Sequence, residues 1–202
     1  IAMNELSNHD HSRFLTRTNG RVGRTASAGP ESATYGVRKA AMMAAVIIQM
    51  TWLGAPTVYY GDEAGVRGWT DPDNRRTYPW GKEDHELILF HKEAIRIHKD
   101  YDALRSGGLI YLVNERNLIG YGRFDEKDKA FVLVQAGGMR RQVEVPVWRL
   151  EMNDGETMAS MIYSDNGGFD VNARIYVVKD GKVTVDLEPD AAIIIKSVER
   201  GY

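Results

Sequence analysis

Gly54-Ala55-Pro56-Thr57-Val58-Tyr59-Tyr60-Gly61-Asp62-Glu63 is the stretch on which the reading of the fold turns. Proline introduces a β-branched and aromatic run from Thr57 to Tyr60, and glycine stops it, which predicts a short buried strand. Upstream, Thr34 to Met50 consists mostly of strong helix formers behind the breaker Gly29-Pro30-Glu31-Ser32, with apolar residues over almost the whole circumference. Such a helix has to be packed on more than one side. Downstream, a Gly-, Asp-, Pro- and Asn-rich loop from Gly61 to Gly81 leads into Leu87, Phe90, Ala94, Ile97 and Tyr101. Their steps of three and four predict an amphipathic helix from Asp84 to Leu104. At the front, Ala2 to Leu6 reads as another strand, so the order is strand, helix, strand, helix. Ile1-Ala2-Met3-Asn4-Glu5-Leu6 resembles the middle of a strand more than a natural beginning, and the true N-terminus is expected further upstream.

At Gly107-Gly108 the period becomes strand-like and stays so. Candidate strands are Leu109–Val113, Leu118–Phe124, Ala130–Gln135, Gln142–Val147, Thr157–Tyr163, Arg174–Val178, Lys182–Leu187 and Ala191–Ser197, separated by turn clusters such as Asn166-Gly167-Gly168 and Asp180-Gly181. This spacing suggests an antiparallel β-sandwich. The expectation is therefore an α/β part over residues 1–106 and an all-β part over 107–202.

Composition narrows the function classes. Of 202 residues 43% are hydrophobic, enough for a sizeable core, and the formal charge of -2 provides no broad cationic field for nucleic acid or anionic lipid. The absence of cysteine excludes disulfides, thiolate zinc sites and cysteine nucleophiles. The apolar run Ala40 to Ile48 falls well short of the ~20 residues of a membrane helix.

Three clusters carry chemistry. Asn8-His9-Asp10 lies where the opening strand yields to a loop containing Arg13, and in parallel α/β barrels functional groups sit at such strand ends. A carboxylate beside an imidazole can hold sugar hydroxyls and respond to charge on a glycosyl transition state. The plainer alternative is that Asp10 caps the next segment and His9 is a loop residue. Asp62 and Glu63 either form a carboxylate pair at a strand end or sit as solvated acids in a turn. In Asp71-Pro72-Asp73-Asn74-Arg75-Arg76, Asp and Arg four apart can grip adjacent hydroxyls, with Trp80 or Trp69 as an apolar platform. Read alone, that run is a loop salt bridge with Trp80 packed on the next helix.

In this order and spacing the clusters resemble the α-amylase family of glycoside hydrolases. Asn8-His9-Asp10 looks like its motif after the seventh barrel strand, and Gly54 to Glu63 looks like its eighth strand. Asp71 to Arg75 is similar to the following loop of the cyclomaltodextrinase and neopullulanase branch. The resemblance implies the last two strand-helix units of a (β/α)₈ TIM barrel, followed by the β-sandwich domain. It also implies a retaining mechanism on α-glucosidic bonds, with no redox cofactor and no catalytic metal. Asp10 would be the acidic residue that binds hydroxyls of the cleaved sugar and favours its oxocarbenium-like form. His9 would bond the same sugar, and Asp71 and Arg75 would hold sugars further to the non-reducing side. Asn8, Arg13 and Trp80 complete the expected substrate-binding set. The nucleophile and acid/base belong to earlier strands of the family, and no matching stretch is present here. The implied partners are an α-glucan or maltooligosaccharide and the N-terminal portion of the barrel. A cytoplasmic location is favoured, and homo-oligomer formation by the parent is allowed. The rival reading is a non-catalytic carbohydrate-binding or assembly module of the same fold. Against a free-standing module, two strands and two helices of a barrel would leave sheet edges open and apolar helix faces uncovered.

Overall fold

A computed structural model of the protein describes residues 2–21 and 23–198; Ile1 and Tyr202, the outer bounds of the two expected parts, lie outside the described residues. Strands β1 (Met3–Glu5) and β2 (Ala55–Thr57) pair in parallel, with Met3 opposite Ala55 and Glu5 opposite Thr57. The second strand thus comes earlier than the Thr57–Tyr60 run predicts. Beyond Thr57 the chain leaves the ladder, and the Tyr60 carbonyl accepts instead from the Arg13 side chain.

Between these strands run the short helices α1 (Phe14–Arg17) and α2 (Thr25–Ala28) and the long α3 (Lys39–Thr51). α3 starts later than the helix formers from Thr34 suggest. Pro30–Ala33 winds as a separate 3-10 turn, and Gly36 takes a left-handed φ of 69° that ends any continuous helix. After β2 come α4 (His85–Asp100) and α5 (Asp102–Arg105), divided where Tyr101 adopts extended backbone. Asp84 caps α4 by accepting from the Leu87 N–H, and Leu87, Phe90, Ala94 and Ile97 form its buried face as their spacing requires.

No residue of α3 is exposed. This corrects the expectation of uncovered apolar helix faces, because α3 is enclosed between α4 and the β-sheet that follows. Open edges do remain on the β1–β2 pair among the described residues.

The rest is antiparallel sheet: β3 (Gly108–Glu115), β4 (Leu118–Phe124), β5 (Lys129–Gln135), β6 (Arg141–Val145), β7 (Thr157–Asp165), β8 (Gly168–Asp170), β9 (Ile175–Val177), β10 (Val183–Leu187) and β11 (Ala192–Ser197). Their order is β3-β4-β5-β11-β7-β8 with β9 also on β7, while β6 and β10 form a separate pair. The short β8 escaped the sequence because it follows directly on the Gly167 turn. β6 ends before Val147, since Pro146 removes a donor and Val147–Leu150 turns as a 3-10 helix.

Strand alternation divides the apolar side chains between two cores. Phe131, Leu133, Ile193 and Ile195 face β6 and β10 and pack with Val143, Val145, Val183, Val185 and Leu187. Their neighbours Val132, Val134, Ala192 and Ile194 face the helices and pack with Met42, Met43, Val46, Ile47, Leu87 and Phe90. Burial of each large side chain contributes roughly 1.5–3 kcal/mol, so this shared layer fixes α3 firmly on the sheet. Arg123 adds a polar tie. Fully enclosed, it donates to the carbonyls of Thr51 (2.5 Å), Gly107 (2.9 Å) and Gly108 (3.1 Å), a cation at the carbonyl end of α3. From the other side, buried Gln49 of α3 donates to Asn4 O (3.0 Å) and Thr57 O (2.8 Å), which holds β1 and β2 against the helix.

Candidate functional site

Because β1 and β2 run parallel, the loops that leave them emerge on the same side. In the first loop Asn8 Oδ1 accepts from the backbone N–H of Asp10 (2.9 Å) and of His11 (3.1 Å), and its amide nitrogen donates to Glu5 Oε1 (2.7 Å). This side-chain turn folds the chain back so that His9 and Asp10 stand outward. His9 Nε2 lies 3.3 Å from Asp10 Oδ1, with side chains 63% and 66% exposed. The Asn8 amide, expected on substrate, works inside the loop instead.

Arg13 is also placed differently from its expected role as a substrate ligand. Its side chain is wholly enclosed, between the rings of Tyr59 (4.1 Å from the guanidinium carbon) and Tyr60 (4.7 Å). Nε donates to Asn74 O (2.7 Å), and Nη1 donates to Tyr60 O (2.6 Å) and to Asp62 Oδ1 (3.0 Å). A guanidinium without solvent contact cannot meet a sugar; it fastens loops together. Asp62 is buried with it. Burial pushes the Asp62 carboxyl above the usual carboxylate range, opposed by the Ser7 hydroxyl and the Arg13 charge. Neither sequence reading of Asp62 and Glu63 therefore holds for Asp62, which is an enclosed partner of Arg13 and not a solvated acid. Gly61 permits this turn: a Cβ there would stand 2.6 Å from Val66 Cγ2, at a φ of 83°.

The third cluster surrounds the 3-10 turn Asp73–Arg75. Arg75 Nε and Asp71 Oδ1 pair at 2.5 Å with both side chains about half exposed. Asp73 points inward and accepts from the Trp69 N–H (2.7 Å) and from Arg76 Nη2 (2.9 Å). Asn74 is fully buried, and its amide nitrogen donates to His11 O (2.8 Å) and Asn8 O (3.2 Å). Asp71 and Arg75 line a depression of about 650 Å³ together with Arg24, Thr25, Ala26 and Pro72. Trp80 does not line it. That ring is 81% exposed and leans on Tyr78, with centroids 4.5 Å apart, so it is not packed on the next helix either. Trp69 is only 2% exposed and donates from Nε1 to Ser32 Oγ (2.9 Å), so it is no platform.

The three clusters are thus joined, although not through the side chains expected on substrate. Arg13 ties the first loop to the second and third, and Asn74 ties the third back to the first. Sequence reasoning passed over Asn74 as a spacer between Asp73 and Arg75. The one signal was its place inside an acid- and arginine-rich turn, where a neutral amide is the odd residue. Among the described residues no group of three or more His, Asp or Glu side chains is placed to hold a metal ion.

A family model described as the catalytic domain of alpha amylase matches residues 2–116. An amylopullulanase of Thermoanaerobacter thermohydrosulfuricus is 31% identical over 207 residues, covering 96% of this chain and 13% of that protein. A cyclomaltodextrinase of Bacillus sp is 33% identical over 138 residues, covering 66% of this chain and 22% of that protein. In fold, the chain is similar to a crystal structure of an Anoxybacillus alpha-amylase with a TM-score of 0.77 at 21% identity, over 99% of this chain and 38% of that one. The chain therefore spans a quarter or less of the length of these two curated relatives.

Proposed function

The chain belongs to the alpha-amylase family, and from that premise we propose that it is the C-terminal part of a retaining α-glucan hydrolase of cyclomaltodextrinase or neopullulanase type. In this reading residues 1–106 are the last two strand-helix units of the (β/α)₈ catalytic barrel and 107–202 its C-terminal β-sandwich domain. The parallel pairing of β1 with β2 supports the first part, and the antiparallel strands around the β6–β10 core support the second. One observation carries the functional reading: exposed His9 and Asp10 stand at the end of a parallel strand, in a loop bonded through Asn74 to the turn that presents Asp71 and Arg75. Polar groups at the C-terminal end of a parallel strand are where barrel enzymes carry their sites.

Asp10 then binds hydroxyls of the cleaved sugar and favours its oxocarbenium-like form, with His9 on the same sugar. Asp71 and Arg75 hold sugars further along, and Trp80 offers an exposed ring face. Retention also needs a nucleophile and an acid/base about 5 Å apart, and both come from the rest of the parent polypeptide. The 202-residue chain alone is accordingly catalytically silent. The test is proton NMR of the first product released by the full-length parent from a maltooligosaccharide. The α-anomer is expected, and initial β-product would sink the mechanism. Asp10→Asn should reduce turnover far more than ground-state binding. Unchanged turnover would remove Asp10 from the site.

A further inference from the structure

We propose that Asn74 is a positioning residue for Asp10, and that through it the occupancy of the Asp71–Arg75 grip is felt at Asp10. The inference rests on the reading of Asp10 given above. The amide of Asn74 donates to the carbonyls of Asn8 (3.2 Å) and His11 (2.8 Å), the two residues that bracket His9-Asp10. It does so from a position that is itself fully buried. The Asn74 carbonyl in turn accepts from Arg13 Nε (2.7 Å), which holds the backbone of the turn from the other side. That backbone belongs to the turn Asp73–Arg75, and Arg75 of that turn, with Asp71 just before it, lines the open depression.

A sugar that draws Arg75 or Asp71 therefore pulls on the same short turn whose next side chain sets the Asn8 and His11 carbonyls. The buried connection has little slack, because interiors are close-packed. Asparagine suits the task for a chemical reason. One nitrogen carries two donors and can serve two carbonyls at once, whereas an ionised aspartate of the same shape offers acceptors only.

The experiment uses the full-length parent and maltooligosaccharides of increasing length, with Asn74→Ala, Asn74→Asp and Arg75→Ala made singly and Asn74→Ala/Arg75→Ala together. Misplacement near 1 Å at a reacting centre costs on the order of a hundredfold, so kcat should fall about ten- to a hundredfold in both Asn74 variants. KM for the shortest substrate should remain within about twofold. The kcat advantage of longer substrates should disappear in Asn74→Ala, and adding Arg75→Ala should then lower kcat no further. A brace without a positioning role would lower only the unfolding midpoint. Retained kcat, or losses from Asn74→Ala and Arg75→Ala that simply add, would overturn the proposal. If either Asn74 variant fails to fold, Asn74→Ser, which keeps one donor in a smaller volume, is subject to the same two criteria. Asp10→Asn separates the two readings. If it leaves turnover intact, the site assignment itself fails; if it abolishes turnover while the Asn74 variants keep full kcat, only this inference fails.

Discussion

Arg13 and Asp62 meet at 3.0 Å in a place closed to solvent, and their ion pair joins the loop after β1 to the loop after β2. Removing one member of a buried pair leaves the other uncompensated, at a cost of about 3–5 kcal/mol. Arg13→Met also leaves the Tyr60 and Asn74 carbonyls without their donor. We expect a stability loss of that order in urea unfolding of the parent, and a smaller loss for Asp62→Asn, because its amide oxygen can still accept from Arg13 Nη1 and the Arg13 bonds to the Tyr60 and Asn74 carbonyls stay in place. A loss below about 1 kcal/mol for Arg13→Met would show that the loops hold without the pair.

Arg123 should matter equally for the seam between helices and sheet. Its three carbonyl partners are Thr51 at the end of α3 and Gly107 and Gly108 where the chain enters β3. Arg123→Met strands all three and should destabilise by on the order of 2–4 kcal/mol. Amide exchange should quicken around Thr51 and Gly107 ahead of the β6–β10 core. Unchanged exchange at those positions would mean that the apolar layer alone holds the seam.

Arg75→Ala tests the outer grip. Lost remote binding energy reduces rate as well as affinity, so in the full-length parent proposed above kcat/KM should fall more for long oligosaccharides than for the shortest ones. A uniform decrease at every length would reassign Arg75 to bracing its own turn through Asp71.

His91 predicts a pH dependence. It is enclosed on α4, with Nδ1 2.7 Å from Leu87 O and Nε2 without a partner among the described residues. Burial lowers its pKa, opposed by the Leu87 carbonyl and the Glu63 charge. The fold therefore holds neutral imidazole while the unfolded chain protonates first, near the ordinary value of about 6.5. The contribution to stability is complete above that pH and is lost as pH falls toward the depressed folded value. Urea midpoints at pH 7.5 and 5 should diverge more in the natural sequence than in His91→Gln. Equal divergence in both would assign the acid sensitivity elsewhere.

What the sequence determined by itself was whatever its own neighbours enforce. The three- and four-residue steps from Leu87 to Ile97 set the buried face of α4, and the unbroken apolar, β-branched and aromatic run Phe131-Val132-Leu133-Val134 set a strand buried on both faces. The order of Asn8-His9-Asp10, Gly54 to Glu63 and Asp71 to Arg75 was enough to point to the family. Only the tertiary structure decided which side chains of those motifs face solvent. Both Trp69 and Trp80 were possible platforms in the sequence, yet Trp69 is enclosed with its indole N–H on Ser32, and Trp80 is exposed and leans on Tyr78. In the sequence Arg13 reads as a substrate ligand and Asn74 only as a polar loop residue, and neither reading reaches its burial. Each is buried while bonding carbonyls far away in the chain, up to 66 positions distant in the bond from Asn74 to Asn8. Periodicity is written in neighbouring residues and can be read there, but a buried donor is chosen by the distant acceptor it must satisfy, and the fold alone brings the two together.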